Sequence, residues 1–177
     1  MKRRHVVAAL PLLGQLPAFA QAEVPAGLTV LEPGRLDAQP LFAARLIDLD
    51  DKPAQAKAAA GRVLVVNFWA RWCGPCKVEI PELIALRKRA SAVDVLGIAI
   101  ESDPAAVRDF ARAYEMDYAL LLARDGGLDL MRALGNTRAG LPFTLVLDRR
   151  GMPAALRLGL ATRAQLDAAV QLALRRG

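Results

Sequence analysis

Residues 62–69 read Arg-Val-Leu-Val-Val-Asn-Phe-Trp, and three positions later the chain runs into Trp72-Cys73-Gly74-Pro75-Cys76. An apolar run of this length, rich in β-branched residues, predicts a strand buried on both faces of a parallel or mixed sheet. Beyond the motif, residues 77–90 carry Ile80, Leu83 and Ile84 at helical spacing, which predicts a helix. The two cysteines therefore fall where a central strand ends and a helix begins. Few folds satisfy that junction.

The placement has chemical consequences. The first backbone N–H groups of a helix lack intrahelical partners, and the macrodipole is positive there. A thiolate at Cys73 would be stabilised and its pKa lowered. With two residues between the cysteines and Cys76 in the first turn, the pair can close a small-ring disulfide. Pro75 suits a first turn because its missing N–H would have no partner anyway. A zinc site needs about four ligands, and the chain holds two cysteines and one histidine. A purely structural disulfide would not need the helix start.

The 177 residues suggest one folded domain. The net charge is +6, but Lys2, Arg3 and Arg4 supply part of it and the rest is dispersed. No Lys/Arg block interleaves with aromatics, so nucleic acid is excluded as a partner. The basic start, the mostly apolar residues 6–16 and Ala18-Phe19-Ala20 together form the pattern of a Sec-type signal peptide, cut after Ala20. The alternative is an uncleaved membrane anchor, but the apolar stretch is shorter than the ~20 residues of a membrane span and is broken by Pro11 and Pro17. Cleavage would remove His5, the only histidine, and with it any histidine-dependent catalysis.

Residues 21–37 read as an extended lead-in, with Pro25, Gly27, Pro33 and Gly34. Residues 41–49 alternate weakly and suggest a strand. With the turn at Asp48-Leu49-Asp50-Asp51 and the residues after Lys52, it would form an N-terminal hairpin. The alanine-rich residues 54–60 suggest a short helix stopped by Gly61. Further strands are expected at 94–100, 119–122, 143–148 and 154–158. Further helices are expected at 103–114, with Asp103 as cap and Pro104 following, at 127–134, and after Thr162. Pro81 should perturb the helix that follows the cysteines. Trp69, Tyr114 and Tyr118 read as packing residues, and Asn67 as a side chain that satisfies buried backbone groups. The pattern is a compact α/β sandwich.

Strand, Trp-Cys-Gly-Pro-Cys and helix together resemble the thioredoxin superfamily. The export signal, the hairpin, Val66-Asn67-Phe68-Trp69-Ala70, Lys77-Val78-Glu79-Ile80-Pro81 and the inserted helix at 103–114 narrow the resemblance to its TlpA-like branch. The resemblance implies a thioredoxin-like domain over residues 38–177, with a central mixed β-sheet flanked by helices. It implies an exported thiol–disulfide oxidoreductase with no cofactor beyond the Cys73–Cys76 pair. Cys73 would attack and Cys76 would resolve. Gly140-Leu141-Pro142-Phe143-Thr144 resembles the family's cis-proline loop, so Pro142 would be cis and the Leu141 backbone would receive a substrate strand. Trp72, Gly74 and Pro75 would complete the docking rim. Asn67 stands where thioredoxin itself carries a buried aspartate, and an amide cannot relay a proton. That shifts the burden to Glu79, three residues after Cys76 on the same side of the helix, where a partly buried carboxylate could exchange protons with Cys76.

The implied partners are disulfide-bearing exported proteins, such as apocytochrome c or a copper-site subunit, and a membrane electron donor resembling the DsbD or CcdA type. The implied compartment is the periplasm. Gly74-Pro75 matches strongly reducing thioredoxins, which favours a reductase over an oxidase or isomerase of the same fold. A copper chaperone is a further alternative. The known copper chaperones of this fold use another cysteine spacing and a distant histidine.

Overall fold

The computed structural model describes residues 24–57 and 59–177. The signal-peptide reading of residues 1–20 lies outside them. Among the described residues eight strands form one sheet in the order β1-β8-β7-β4-β5-β6-β2-β3. The strands are β1 (Leu28–Val30), β2 (Leu46–Ile47), β3 (Pro53–Ala54), β4 (Val63–Trp69), β5 (Val93–Ala99), β6 (Ala119–Leu122), β7 (Phe143–Leu147) and β8 (Pro153–Leu158). The helices are α1 (Gln39–Ala43), α2 (Gly74–Arg89), α3 (Pro104–Ala113), α4 (Gly127–Ala133) and α5 (Arg163–Arg176). This is the thioredoxin-like α/β sandwich, with a mixed central sheet and helices on both faces.

The central strand is β4, and every one of its residues is buried. It runs parallel to β5 and antiparallel to β7. Its alternating side chains build two cores. Val63, Val65 and Trp69 join the layer beneath α2, α3 and α5. Leu64, Val66 and Phe68 join the layer that holds Leu41 of α1 and Leu130 and Met131 of α4. Phe68 stacks on Phe143 across the β4–β7 pair, and Trp69 stacks on Phe110 of α3. Trp69 is thus a core residue, as its strand position predicts. Tyr114 stacks on Phe110 and Tyr118 is buried, so both tyrosines pack.

The helix termini follow their sequence signals. Asp103 caps α3 by accepting the Ala106 N–H. Thr162 and Gln165 form a reciprocal capping box on α5. Helix α2 continues through Pro81.

The structure departs from the sequence reading in its first third. Residues 41–49 do not form one strand. Pro40 and the Asp37 carboxylate, which accepts the Gln39 N–H at 2.8 Å, start the short helix α1 instead. Only Leu46–Ile47 remains as strand. It does pair with Pro53–Ala54 as a hairpin, closed by Asp48, whose carboxylate accepts the N–H groups of Asp50 and Lys52. The described part of 54–60 is not helical. Alanine propensity there has neither a cap nor an apolar stripe to support it, and the edge of the sheet takes its first residue. The lead-in segment supplies β1, which pairs with β8 through Leu28–Arg157, Thr29–Leu156 and Val30–Ala155.

One glycine is required by close packing. A Cβ on Gly97 of β5 would lie 2.7 Å from Leu120 Cδ2, 3.0 Å from Trp69 Nε1 and 3.1 Å from Tyr118 Cε2. Gly97→Ala should therefore overpack this layer and lower stability by about 1–3 kcal/mol. Urea unfolding of the oxidised protein checks this; unchanged stability would mean that the Trp69–Tyr118 packing yields freely.

Candidate active site

β4 and β5 run in the same direction and end in register at the same edge of the sheet: Trp69 pairs with Ala99, and the Ile100 N–H donates to the Trp69 carbonyl at 3.0 Å. Strand β7 runs the other way, so its start, Phe143, lies beside Phe68 near the end of β4. The topology thus brings the Ala70–Cys73 turn, the chain after β5 and the loop before β7 to one place.

Cys73 is the N-cap of α2. It has an extended backbone, and its Sγ accepts the Cys76 N–H at 3.2 Å. The two cysteines are joined as a disulfide with their Cα atoms 5.3 Å apart. Cys73 and Cys76 are both buried, the latter more deeply, whereas the neighbouring Trp72 is 71% exposed. The helix places unpaired amides and the positive end of its dipole at Cys73. Arg87, Lys88 and Arg89 occupy its last turn.

A groove of about 800 Å³ opens beside Cys73. Trp72, Cys73 and Pro75 form one side, Ile100 and Leu128 another, and Leu141 a third. Gly74 lines it as well. Of the residues expected to dock a substrate, Trp72, Gly74, Pro75 and Leu141 thus gather around one opening. Pro142 follows Leu141 through a cis peptide bond. Its carbonyl accepts the Gly159 N–H at 2.8 Å, which ties the loop to the end of β8. The buried Asn136 holds the other side of the loop by donating to the Gly140 carbonyl at 2.8 Å.

Glu79 is fully buried. Its Oε1 accepts the Thr144 hydroxyl at 2.8 Å, and the Thr144 oxygen in turn accepts the Asn67 amide at 2.9 Å. Asn67 and Thr144 face each other in the β4–β7 register. This corrects the expectation for Asn67: its amide serves the side-chain chain that ends on Glu79, because the two strands already satisfy each other's backbone. Oε2 of Glu79 has no hydrogen-bond partner among the described residues. Burial pushes the Glu79 carboxyl up to about 7. The Thr144 hydroxyl, the Ala161 backbone N–H, Asn67 and the Arg157 charge oppose that rise only in part; the Ala161 N–H lies outside ordinary hydrogen-bond geometry.

Thr144, Asn136 and Glu101 escape the sequence reading. Thr144 had a visible signal: it and Asn67 are lone polar residues in otherwise apolar strands. Glu101 accepts the Arg71 N–H at 2.5 Å and the Arg71 Nε at 2.7 Å. Nothing in its local sequence marks that contact. Among the described residues, no group of three or more His, Cys, Asp or Glu is placed to hold a metal ion.

The Redoxin family model matches residues 20–167. The chain belongs to the Redoxin family. It is 26% identical over 127 residues to the thiol-disulfide oxidoreductase ResA of Bacillus cereus, covering 70% of each chain. It is 35% identical over 94 residues to the thiol:disulfide interchange protein HelX of Rhodobacter capsulatus, covering 51% of this chain and 49% of that one. The crystal structure of a thioredoxin-related protein from Neisseria meningitidis superposes with a TM-score of 0.64 at 29% identity, over 74% of this chain and 99% of that one. These likenesses place the chain in the TlpA-like branch of thioredoxin-fold proteins and make it a thiol–disulfide oxidoreductase. No helix among the described residues is long and apolar enough to cross a membrane.

The Glu79 carboxyl makes stability depend on pH in a defined direction. In the unfolded chain it ionises near 4.5, and in the fold near 7. Between those values the folded state keeps a proton that the unfolded state releases. Stability contributed by the neutral acid is complete below pH 4.5 and is lost as pH rises toward 7. Glu79→Gln cannot ionise, so it should match the wild type at pH 4 and exceed it by about 3 kcal/mol at pH 8. Urea unfolding of both oxidised proteins across that range is the check; a constant difference at all pH values would show that Glu79 does not titrate this way.

Proposed function

We propose that this oxidoreductase works as a reductase of exported proteins, with Cys73 as the attacking thiol and Cys76 as the resolving one. The observation that carries the reading is the buried Glu79 carboxyl, raised to about 7, on the same side of α2 as Cys76. A buried resolving thiol must lose its proton before it can attack, and a carboxylate of this pKa is matched to take it near neutral pH.

The cycle starts from the dithiol. The Cys73 thiolate attacks one sulfur of the substrate disulfide. The substrate S–S bond breaks, a mixed disulfide forms, and the second substrate sulfur leaves as a thiolate. Cys76 gives its proton to Glu79 and attacks the Cys73 sulfur. This closes the Cys73–Cys76 disulfide and releases the other substrate sulfur. Two electrons pass to the substrate, and its thiolates take up protons. The exposed Trp72 and the groove beside Leu141 receive the polypeptide around the substrate cysteine, with the Leu141 backbone as the edge against which an extended segment lies. The domain division into a cleaved segment at 1–20, a lead-in at 21–37 and the redox domain from 38 onward belongs to the same reading. So do export to the periplasm, a membrane donor of the DsbD or CcdA type that restores the dithiol, and a client with paired cysteines, as in apocytochrome c or copper-site maturation. An oxidising compartment lacks a glutathione pool that could replace the membrane donor.

Two measurements test this. Equilibration of the pair with defined thiol buffers should give a potential below about −230 mV; a value above about −180 mV would make the protein an oxidase or isomerase. Cys73→Ser should abolish reduction of insulin, whereas Cys76→Ser should accumulate mixed disulfides. The reverse pattern would exchange the two roles.

A further inference from the structure

The turn that carries Cys73 is packed at its two ends, where Ala70 and Cys73 are buried in the core, and little holds Arg71 and Trp72 between them. Ala70, Arg71 and Trp72 lie between the end of β4 and the cap of α2, and Trp72 is exposed. The Cys73 N–H donates to the Ala70 carbonyl at 3.1 Å, which closes the turn on itself. In the oxidised protein the disulfide fixes Cys73 against Cys76. In the dithiol that restraint is gone.

A polar contact anchors the middle of the turn from outside. The parallel β4–β5 ladder continues one step past the strands, with the Ile100 N–H on the Trp69 carbonyl. The next donor along β4 is the Arg71 N–H. It meets the Glu101 carboxylate at 2.5 Å, and the second oxygen of that carboxylate accepts Arg71 Nε at 2.7 Å. A side chain takes over where the two backbones diverge. Glu101 is 9% exposed and Arg71 is 38% exposed, so the carboxylate is the buried member and both its oxygens are engaged. A charge-assisted bond of this kind, sheltered from water, is stronger than a neutral surface one. Glu101 also sits between Ile100 and Ser102, which line the same groove as Cys73. The clamp therefore joins the nucleophile's turn to the facing wall of the groove.

We propose that Glu101 is a positioning residue of the redox site: through its paired bonds to Arg71 it holds the Ala70–Cys73 turn in the dithiol state, so that the Cys73 sulfur stays aligned with Cys76 and with the groove. The inference rests on the cysteine pair being the reacting site, and not on the direction of exchange. With the turn pre-ordered, closing the disulfide costs little further backbone entropy. Without the clamp, the dithiol gains freedom that closure must remove.

The test is the equilibrium constant for closing the pair in glutathione buffers, measured on the full chain and on its variants, with thermal unfolding of each oxidised protein as a control. Glu101→Ala removes both bonds and should lower the closing constant about tenfold, the entropy of roughly one freed residue. Glu101→Gln keeps an oxygen for the Arg71 N–H and should stay within about threefold of wild type, which separates holding from charge. An unchanged constant for Glu101→Ala overturns the proposal, and so does a Glu101→Gln that falls as far as Glu101→Ala. Should Glu101→Ala not unfold cooperatively, Glu101→Asp replaces it. Its shorter side chain cannot serve both donors in place, and an unchanged constant there overturns the proposal equally. These are ratios among variants, so a wild-type potential in the oxidase range would refute the reductase reading and leave this comparison intact.

Discussion

The site depends on where β4 stops. A strand buried on both faces and hydrogen-bonded on both edges cannot shift, because a slip of one residue would exchange its two cores. Val63, Val65 and Trp69 on one face and Leu64, Val66 and Phe68 on the other fix it in register. The chain must then leave the sheet at Ala70, in the middle of the edge where β5 also ends and β7 begins. A helix start, a groove wall and the cis-proline loop converge there for topological reasons. None of them needs the others to reach that edge, which explains how one short motif can face so much of the molecule.

Across the sheet, the register sets Arg157, Thr144, Asn67 and Gly97 in one row over β8, β7, β4 and β5. Three of these are polar or charged in a layer that is otherwise apolar, and the row passes beneath α2. Glu79 comes down onto it from the helix. Two hydrogen-bonded neutral side chains, Thr144 and Asn67, give the carboxyl some support, but less than its burial takes away. A buried carboxylate facing another carboxylate would titrate as a coupled pair. With an amide at position 67, Glu79 titrates without a second acid in its hydrogen-bond chain. Gly97 keeps the far end of the row open for the Trp69 and Tyr118 rings, whose Nε1 and hydroxyl are buried without a partner among the described residues.

The legible parts of the sequence were those where one strong local signal agreed with burial. The apolar runs at 62–69 and 94–100, the Asp103-Pro104 start and the Thr162 cap all place their elements within a residue or two. In the first third the hairpin holds, but the strand over 41–49 and the helix over 54–60 do not, because their signals are weak and compete. Weak alternation over 41–49 lost to Pro40 and Asp37, and alanines at 54–60 had propensity without a face to bury. At the site, the cysteines, Glu79 and the Leu141–Pro142 bond were visible as motifs. Thr144 is marked only as a lone polar residue in an apolar strand and Glu101 not at all, since what each does depends on a neighbour far away in the chain: Glu79 is 65 residues from Thr144, and Arg71 is 30 from Glu101. Register and topology bring such pairs together, and a motif records neither.

One turn of α2 gives its two cysteines opposite surroundings. Cys73, at the cap, meets the unpaired amides of the helix start and lines the open groove. Cys76, within the first turn, is 1% exposed and faces the interior. A thiol must give up its proton before it attacks, and on the proposed reading Glu79 takes that of Cys76. A solvated glutamate, fully ionised and weakly basic, would be a poor acceptor. Burial corrects this by making Glu79 a stronger base, and the same burial costs the fold stability above neutral pH. On the proposed reading that cost and the chemistry have one origin. Moving Glu79 into water would recover the stability and remove the base.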